Sequence, residues 1–250
     1  MADDIIDEDV PVLDVEKFFL SWPGLKLFVI GKSGSGKSTF VKWMFYILRK
    51  TIPAAVAISE SEIVNEFFSE FIPPAFIFNK FDSNILHRIV DRQKTIITKK
   101  CTKPDILIVA DDCFSDIKKM QEPPTPWIFK VGRHYRINYV VVMQYCNDLK
   151  PDTRNQVDGV FLFNEQNENT RKALHSCFAS SIPYPVFSKL MTICTDNFGI
   201  MFINLSSSVS KTDWKEFISK TRAPETIPSF SFGSIEYQQY AASRVKKRSD

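Results

Sequence analysis

Gly31-Lys32-Ser33-Gly34-Ser35-Gly36-Lys37-Ser38 is the stretch from which the rest of the chain is read. It fits G-x-x-x-x-G-K-[ST], a loop whose backbone N–H groups cradle phosphates. Its flanks are the ones such a loop needs. Leu25 to Ile30 is a short apolar run that reads as a buried strand, and Lys37 to Lys50 reads as a helix. The apolar residues of that helix, Phe40, Val41, Met44, Phe45 and Leu48, recur at helical spacing. Strand, glycine loop and helix aim backbone donors and a helix N-terminus at a polyphosphate. Residues 31 to 38 and the adjacent Thr39 are therefore the expected nucleotide contacts. Lys37 is placed to reach the β- and γ-phosphates of ATP, and the Ser38 hydroxyl to ligate Mg²⁺.

The remainder of the chain is consistent with one α/β domain. It has 250 residues, 44% hydrophobic and 24% charged, as in ordinary globular proteins. Its five cysteines form no C-x-x-C pair and only three histidines are present, which argues against zinc sites and a disulfide framework and for a reducing compartment. No apolar run approaches the roughly 18 residues that span a membrane. The start is acidic (Asp3, Asp4, Asp7, Glu8, Asp9), unlike a signal peptide. The end is basic (Arg244, Lys246, Lys247, Arg248), which suits either a solvated tail or nucleic acid. Residues 1–16 read as a flexible acidic start, 17–220 as the nucleotide-binding domain, and 221–250 as a C-terminal extension.

Strands and helices alternate after the loop. Ala54 to Ile58 reads as a strand. Ser59 opens a helix carrying Ile63, Val64, Phe67, Phe68 and Phe71, with Glu62 in capping-box position. Ala75 to Phe78 is a short strand, and Ser83 caps a helix to about Lys100. On that helix Arg88, Arg92, Thr95 and Lys99 form one stripe, either a solvated face or a phosphate-backbone contact. Ile106 to Ala110, Tyr139 to Met143 and Val157 to Phe163 are further buried strands. Such unbroken apolar runs belong to parallel sheets with helices on both faces. Later, Asn169 to Phe178, Pro185 to Thr195 and Ile235 to Val245 read as helices, Phe198 to Leu205 as a strand, and 221–233 as irregular.

Hydrolysis needs more than a phosphate cradle. Asp111 and Asp112 end the strand at 106–110, as a Walker B pair does. Asp111 is the expected metal carboxylate and Asp112 the group that orients or deprotonates water. Gln144 ends the next strand, where its amide can touch both γ-phosphate and water. An arginine is also expected, often from a neighbouring subunit. Arg133, Arg136 and Arg154 are the candidates that the residues alone leave open.

In the order of these features the chain resembles the genome-packaging ATPases of nucleocytoplasmic large DNA viruses, of the poxvirus and iridovirus type, within the FtsK–HerA superfamily. The features are the P-loop, the Asp111-Asp112 strand, Gly132-Arg133-His134, the strand ending in Gln144, and Arg154-Asn155. The resemblance covers roughly residues 20 to 205. It implies a RecA/ASCE-like P-loop fold, a mostly parallel sheet of order 5-1-4-3-2 with an extra strand between the Walker motifs, and C-terminal additions. It also implies a homo-oligomeric ring, ATP and Mg²⁺ as ligands, and Arg133 acting in trans. The implied partners are double-stranded DNA, held through its backbone, and capsid or portal-like components. The implied location is the host cytoplasm or the virion. Asp112 departs from the glutamate that many of these proteins carry. Two rival readings are a small-molecule kinase, for which no arginine-rich lid is evident, and a nucleotide switch. Asn79-Lys80-Phe81-Asp82 looks like a guanine-specifying motif, but it precedes the Walker B strand instead of following it.

Overall fold

A computed structural model describes residues 5–21, 23–113, 121–146 and 151–246. Among them lie the strands β1 (Lys26–Ile30), β2 (Ala54–Ser59), β3 (Ile77–Phe78), β4 (Ile106–Asp111), β5 (Ile137–Met143), β6 (Gly159–Leu162), β7 (Gly199–Asn204) and β8 (Ile218–Arg222). The helices are α1 (Val15–Ser21), α2 (Lys37–Leu48), α3 (Glu62–Asn65), α4 (Ser83–Thr98), α5 (Thr125–Val131), α6 (Pro151–Arg154), α7 (Glu168–Phe178), α8 (Tyr184–Cys194), α9 (Trp214–Phe217) and α10 (Ile235–Lys246). They fall into two compact units. One comprises Met1–Phe18, Lys26–Trp43 and Val142–Glu225; the other comprises Phe19–Leu25, Met44–Val141 and Thr226–Asp250.

In the first unit the strand order is β5 (its last residues), β1, β6, β7, β8. β1 pairs in parallel with β6, with Ile30 opposite Leu162. β6–β7 and β7–β8 are antiparallel. In the second unit the order is β3, β2, β4, β5, and β2 runs parallel to both β3 and β4. With the core strands numbered as in the expected order, the first unit holds 5-1-4 and the second 4-3-2. β3 is the extra strand between the Walker motifs. β7 and β8 extend the sheet beyond the expected five strands.

The apolar runs become strands because both of their faces are covered. Every residue of β1, β2 and β5 is buried. Two of the backbone N–H groups at the start of β1 are met by buried side chains. Asn138 Oδ1 accepts from Leu25 N–H at 3.0 Å, and Asp158 Oδ2 accepts from Lys26 N–H at 2.8 Å. Such pairing is what makes burial of polar atoms tolerable. Much of the core is phenylalanine. In the first unit the Phe161 ring packs against Phe40 and Phe202, with centroids 4.4 and 4.6 Å apart. In the second, Phe45 meets Phe71 and Phe232, each at 5.0 Å.

Several local expectations are corrected. The helix expected from Ser59 to Phe71 is only the four-residue α3, and Ile63 and Val64 are 69% and 83% exposed instead of buried. Glu66 takes a left-handed conformation (φ 47°) that ends the helix. The Glu62 carboxylate then accepts from Phe68 and Ser69 N–H, both at 2.8 Å, which turns the chain instead of continuing it. Asp82, not Ser83, caps α4, accepting from Asn84 N–H at 2.9 Å; this accounts for the aspartate of the 79–82 segment. Two elements carry no clear signal in the sequence. α1 lies in the segment next to the acidic start, and β8 reads Ile-Ser-Lys-Thr-Arg, without an apolar pattern. β8 is held from both sides, by β7 and by Val12.

The acidic start is itself tied to β8. Lys220 pairs with Asp7 at 2.5 Å and Lys215 with Asp9 at 3.5 Å. Asp3 and Asp4, with Lys247 and Arg248 of the basic end, lie outside the described residues. Of the segment read as a C-terminal extension, Thr221 and Arg222 end β8 in the first unit, and the part from Thr226 belongs to the second. Tyr237 Oη donates to Ala55 O at 2.7 Å, and Phe232 N–H donates to Phe71 O at 2.9 Å.

Because Phe161 is fully buried among rings, Phe161→Ala should destabilise the chain by about 3–5 kcal/mol, read as a lower denaturant midpoint; a shift of under ~1 kcal/mol would mean that the cluster re-packs.

Candidate nucleotide site

The end of β1 is locked on both sides. Gly31 N–H donates to Met143 O at 3.1 Å and Phe163 N–H donates to Ile30 O at 2.9 Å. At Gly31 a Cβ would lie 2.6 Å from Phe163 Cβ and 2.8 Å from Ser35 Oγ, so only glycine fits. Gly34 and Gly36 have φ of +75° and +98°, which turn the loop into the first residue of α2. Lys37 is buried, and its ammonium donates to Gly31 O and, at 3.0 Å, to Lys32 O. Ser35 Oγ is buried without a hydrogen-bond partner among the described residues. An unsatisfied buried hydroxyl costs about 1–3 kcal/mol. Together with a lysine turned onto loop carbonyls, it is what a cradle shaped for phosphate oxygens presents. The residues therefore fit a nucleotide polyphosphate.

One acidic residue of this unit has no counterpart among the residues expected from the sequence. Glu165 lies just beyond β6, its side chain 5% exposed, and pairs with Lys32 of the loop at 2.7 Å. It also accepts from Asn167 N–H at 2.7 Å. A carboxylate just past an apolar strand is the signal that marks Asp111, and Phe163-Asn164-Glu165 carries the same signal. Gln144 follows the last residue of β5 and is half-buried. Arg154, at the end of α6, donates to Cys177 Sγ. The Cys146 hydrogen bond first, and then the Arg154 charge, pull the Cys177 thiol below its usual range against the opposing effect of burial.

In the second unit Asp111 is the last residue of β4 and stands opposite Ser59 of β2. Ser59 Oγ donates to Asp111 Oδ2 at 3.2 Å. The sequence places this serine at a helix start; in the structure it orients the carboxylate, and its 1% exposure shields that bond. Asp112 is exposed and left-handed, with φ 44°, a conformation that aspartate tolerates better than most residues. Behind them burial, then the Asp111 charge, pushes the Cys113 thiol up to about 12.

The arginines are placed differently. Arg133 lies in a 3-10 turn before β5, half-buried, with its Cα 2.6 Å from where a Cβ on Gly24 would sit. It therefore stands at the N-terminal end of β5, and Gln144 at the other. Arg136 is ion-paired to Asp105 at 3.2 Å.

The structure thus gathers the P-loop, Gln144 and Glu165 in one unit, and Ser59, Asp111 and Asp112 in the other. All of them lie at or just beyond the carboxyl ends of strands, where open α/β sheets take their ligands. Arg133 does not.

Fold and loop together define a P-loop nucleotide-binding protein. The profile of one family, described as Poxvirus A32 protein, matches residues 18–213, and the chain belongs to that family. Its relatives include protein 088R of Invertebrate iridescent virus 3, which is 37% identical over 89% of this chain and 86% of its own length. Protein 015R of Frog virus 3 is also 37% identical, over 89% of this chain and 69% of its own length. Among solved structures, the genome packaging NTPase B204 of Sulfolobus turreted icosahedral virus 2, in complex with AMPPCP, shares the fold. Its TM-score is 0.59 at 13% identity, covering 81% of this chain and 99% of that one.

Gly31→Ala should abolish tight nucleotide binding, weakening it by at least ~10-fold because the Phe163 contact forces the loop off its path. Equilibrium titration with ATP checks this; wild-type affinity in the variant would show that the loop yields at no cost.

Proposed function

We propose that this chain is an ATP-hydrolysing motor that moves double-stranded viral DNA into a capsid. The observation that carries the reading is the phosphate loop with Lys37 folded onto its own carbonyls, in a member of the Poxvirus A32 family. Its relatives 088R and 015R are viral proteins, and the fold is that of a viral packaging NTPase solved with an ATP analogue.

The chemistry follows from the side chains. Lys37 exchanges the Gly31 and Lys32 carbonyls for the β- and γ-phosphate oxygens of ATP, and the loop N–H groups bind the rest of the chain of phosphates. Ser38 and Asp111 would hold Mg²⁺, which supplies positive charge against the developing charge on the phosphates when bound. Ser59 keeps the Asp111 carboxylate oriented. Asp112, exposed beside it, orients the attacking water and takes its proton. Gln144, at the tip of β5, bridges the γ-phosphate and that water.

Arg133, at the N-terminal end of β5, is proposed to serve a neighbouring subunit of a ring and not its own loop. The DNA would be gripped through its backbone, as a packager of any sequence requires. The second unit carries a surface suited to this. A cavity of about 1360 Å³ is lined by Arg88, Arg92, Lys103, Tyr240 and Arg244. Arg88, Arg92 and Lys99 form an exposed stripe along α4 and its C-cap, and two of them, Arg88 and Arg92, line this groove together with Arg244.

ATP turnover with and without double-stranded DNA tests the reading: stimulation is expected, whereas stimulation by a nucleoside would favour a kinase. Lys37→Ala should abolish turnover. Asp112→Asn should bind ATP and stall hydrolysis, by about 10²-fold or more if Asp112 is the base; rates within a few-fold of wild type would remove that role. Asp111→Asn should in addition raise the Mg²⁺ concentration needed for binding. Mixing inactive Arg133→Ala and Lys37→Ala subunits should restore activity at interfaces where an intact Arg133 faces an intact Lys37, and no rescue in rings shown to be mixed would count against Arg133. Neutralising Arg88, Arg92 and Lys99 together should flatten the dependence of log affinity for DNA on log salt, by about one unit for each phosphate no longer engaged; an unaltered slope would make the stripe a solvated face.

A further inference from the structure

Phe198 is out of place by ordinary packing rules. It is an aromatic side chain with 69% of its surface exposed. Its backbone is left-handed (φ 59°), and so is that of Asn197 before it (φ 46°). Two such residues in succession are unusual, and for a bulky side chain the conformation costs energy that the surroundings must offset. The surroundings do hold it. Gly199 follows with no room for a side chain, since a Cβ there would lie 2.2 Å from Cys194 O and 2.9 Å from Asp196 O. Thr195 Oγ1 donates to Met191 O at 2.7 Å, and Arg222 donates to Asp196 O at 3.3 Å. The turn between α8 and β7 is thus built to present Phe198, not merely to allow it.

What it is presented to is the phosphate loop. A Cβ at Gly36 would be 3.8 Å from Phe198 Cδ1, and equally 3.8 Å from Phe163 Cε1. The two rings flank the glycine that precedes Lys37. The Phe163 ring belongs to the core, at 1% exposure, whereas the Phe198 ring faces solvent in the same compact unit. A nucleotide whose phosphates lie in the loop leaves its sugar and base outside it. A base has two flat, poorly hydrated faces, and an exposed ring one van der Waals contact from the loop can cover one of them.

We propose that Phe198 is the stacking platform for the base of the nucleotide bound at the P-loop, an inference that rests on the nucleotide reading of that loop. The ring supplies affinity without hydrogen-bond readout, so it accepts any nucleobase, and it contributes nothing to binding of a bare polyphosphate. Base–aromatic stacking of this kind changes affinity by roughly tenfold or more when the ring is removed.

The test uses the full chain and two ligands, ATP and inorganic tripolyphosphate, with Phe198→Gly as the variant. Glycine tolerates φ 59°, and the ring is mostly exposed, so thermal stability should be kept or raised. Affinity for ATP should fall by roughly tenfold or more while that for tripolyphosphate stays unchanged. Phe198→Trp should restore ATP affinity, and its indole fluorescence should change on ATP binding but not on tripolyphosphate binding. Unchanged ATP affinity in Phe198→Gly would overturn the proposal, as would an equal loss for both ligands, which would mark Phe198 as a support of the loop. Lys37→Ala separates the platform from the loop beneath it: this variant should weaken both ligands. If wild type binds tripolyphosphate but gains nothing from the nucleoside, only the platform fails. If wild type binds neither, the nucleotide reading fails and the platform with it.

Discussion

The Lys37 ammonium sits against the carbonyls of Gly31 and Lys32, and the rest of the molecule is arranged so that it can do so. A buried ammonium is costly unless its hydrogens are accepted. The loop carbonyls accept them only because Gly34 and Gly36 bend the backbone around the lysine, and because Gly31 lets Phe163 press in from below. That contact in turn needs β6 beside β1, which the Ile30–Leu162 register provides. Two of the partners of this buried lysine are therefore neutral carbonyls, weak and replaceable. Phosphate oxygens, with full negative charge, are better acceptors than the carbonyls they would displace.

The acidic groups divide by the same physics. Asp111 and Glu165 both stand at strand tips, yet their partners differ. Glu165 is nearly sealed and is neutralised by Lys32 of the loop, so it braces the loop against its own charge. Asp111 is half-buried and accepts from the Ser59 hydroxyl at 3.2 Å, a donor that orients the carboxylate. Two carboxylates that look alike in sequence thus differ in what holds them, a loop ammonium for Glu165 and a serine hydroxyl for Asp111.

The arginines show the converse. Arg136 and Arg154 are engaged by Asp105 and Cys177, and Arg133 stands at the N-terminal end of its strand. Arg133 precedes β5 and Gln144 follows it, so the two occupy opposite ends of the strand. In a parallel sheet that end decides whether the residue can meet a ligand held at the carboxyl ends of its own strands.

The chain by itself determined the loop, the strands and the carboxylates at their tips. Glycine spacing and unbroken apolar runs are local properties, and a strand buried on both faces announces itself. It determined neither β8 nor the short α3. Lys220 and its neighbours form a strand only because β7 and Val12 offer hydrogen bonds, and Ile63 and Val64 lose their expected burial to a turn that Glu62 stabilises from a distance. The contacts of Ser59, Glu165 and Phe198 were likewise beyond its reach, although Glu165 carries a strand-tip signal of its own. A serine, a glutamate and a phenylalanine acquire their roles here from contacts with residues 52, 133 and 162 positions away, at Asp111, Lys32 and Gly36. Such contacts exist only once the sheet has brought distant segments together, and this is the part that only the tertiary structure decided.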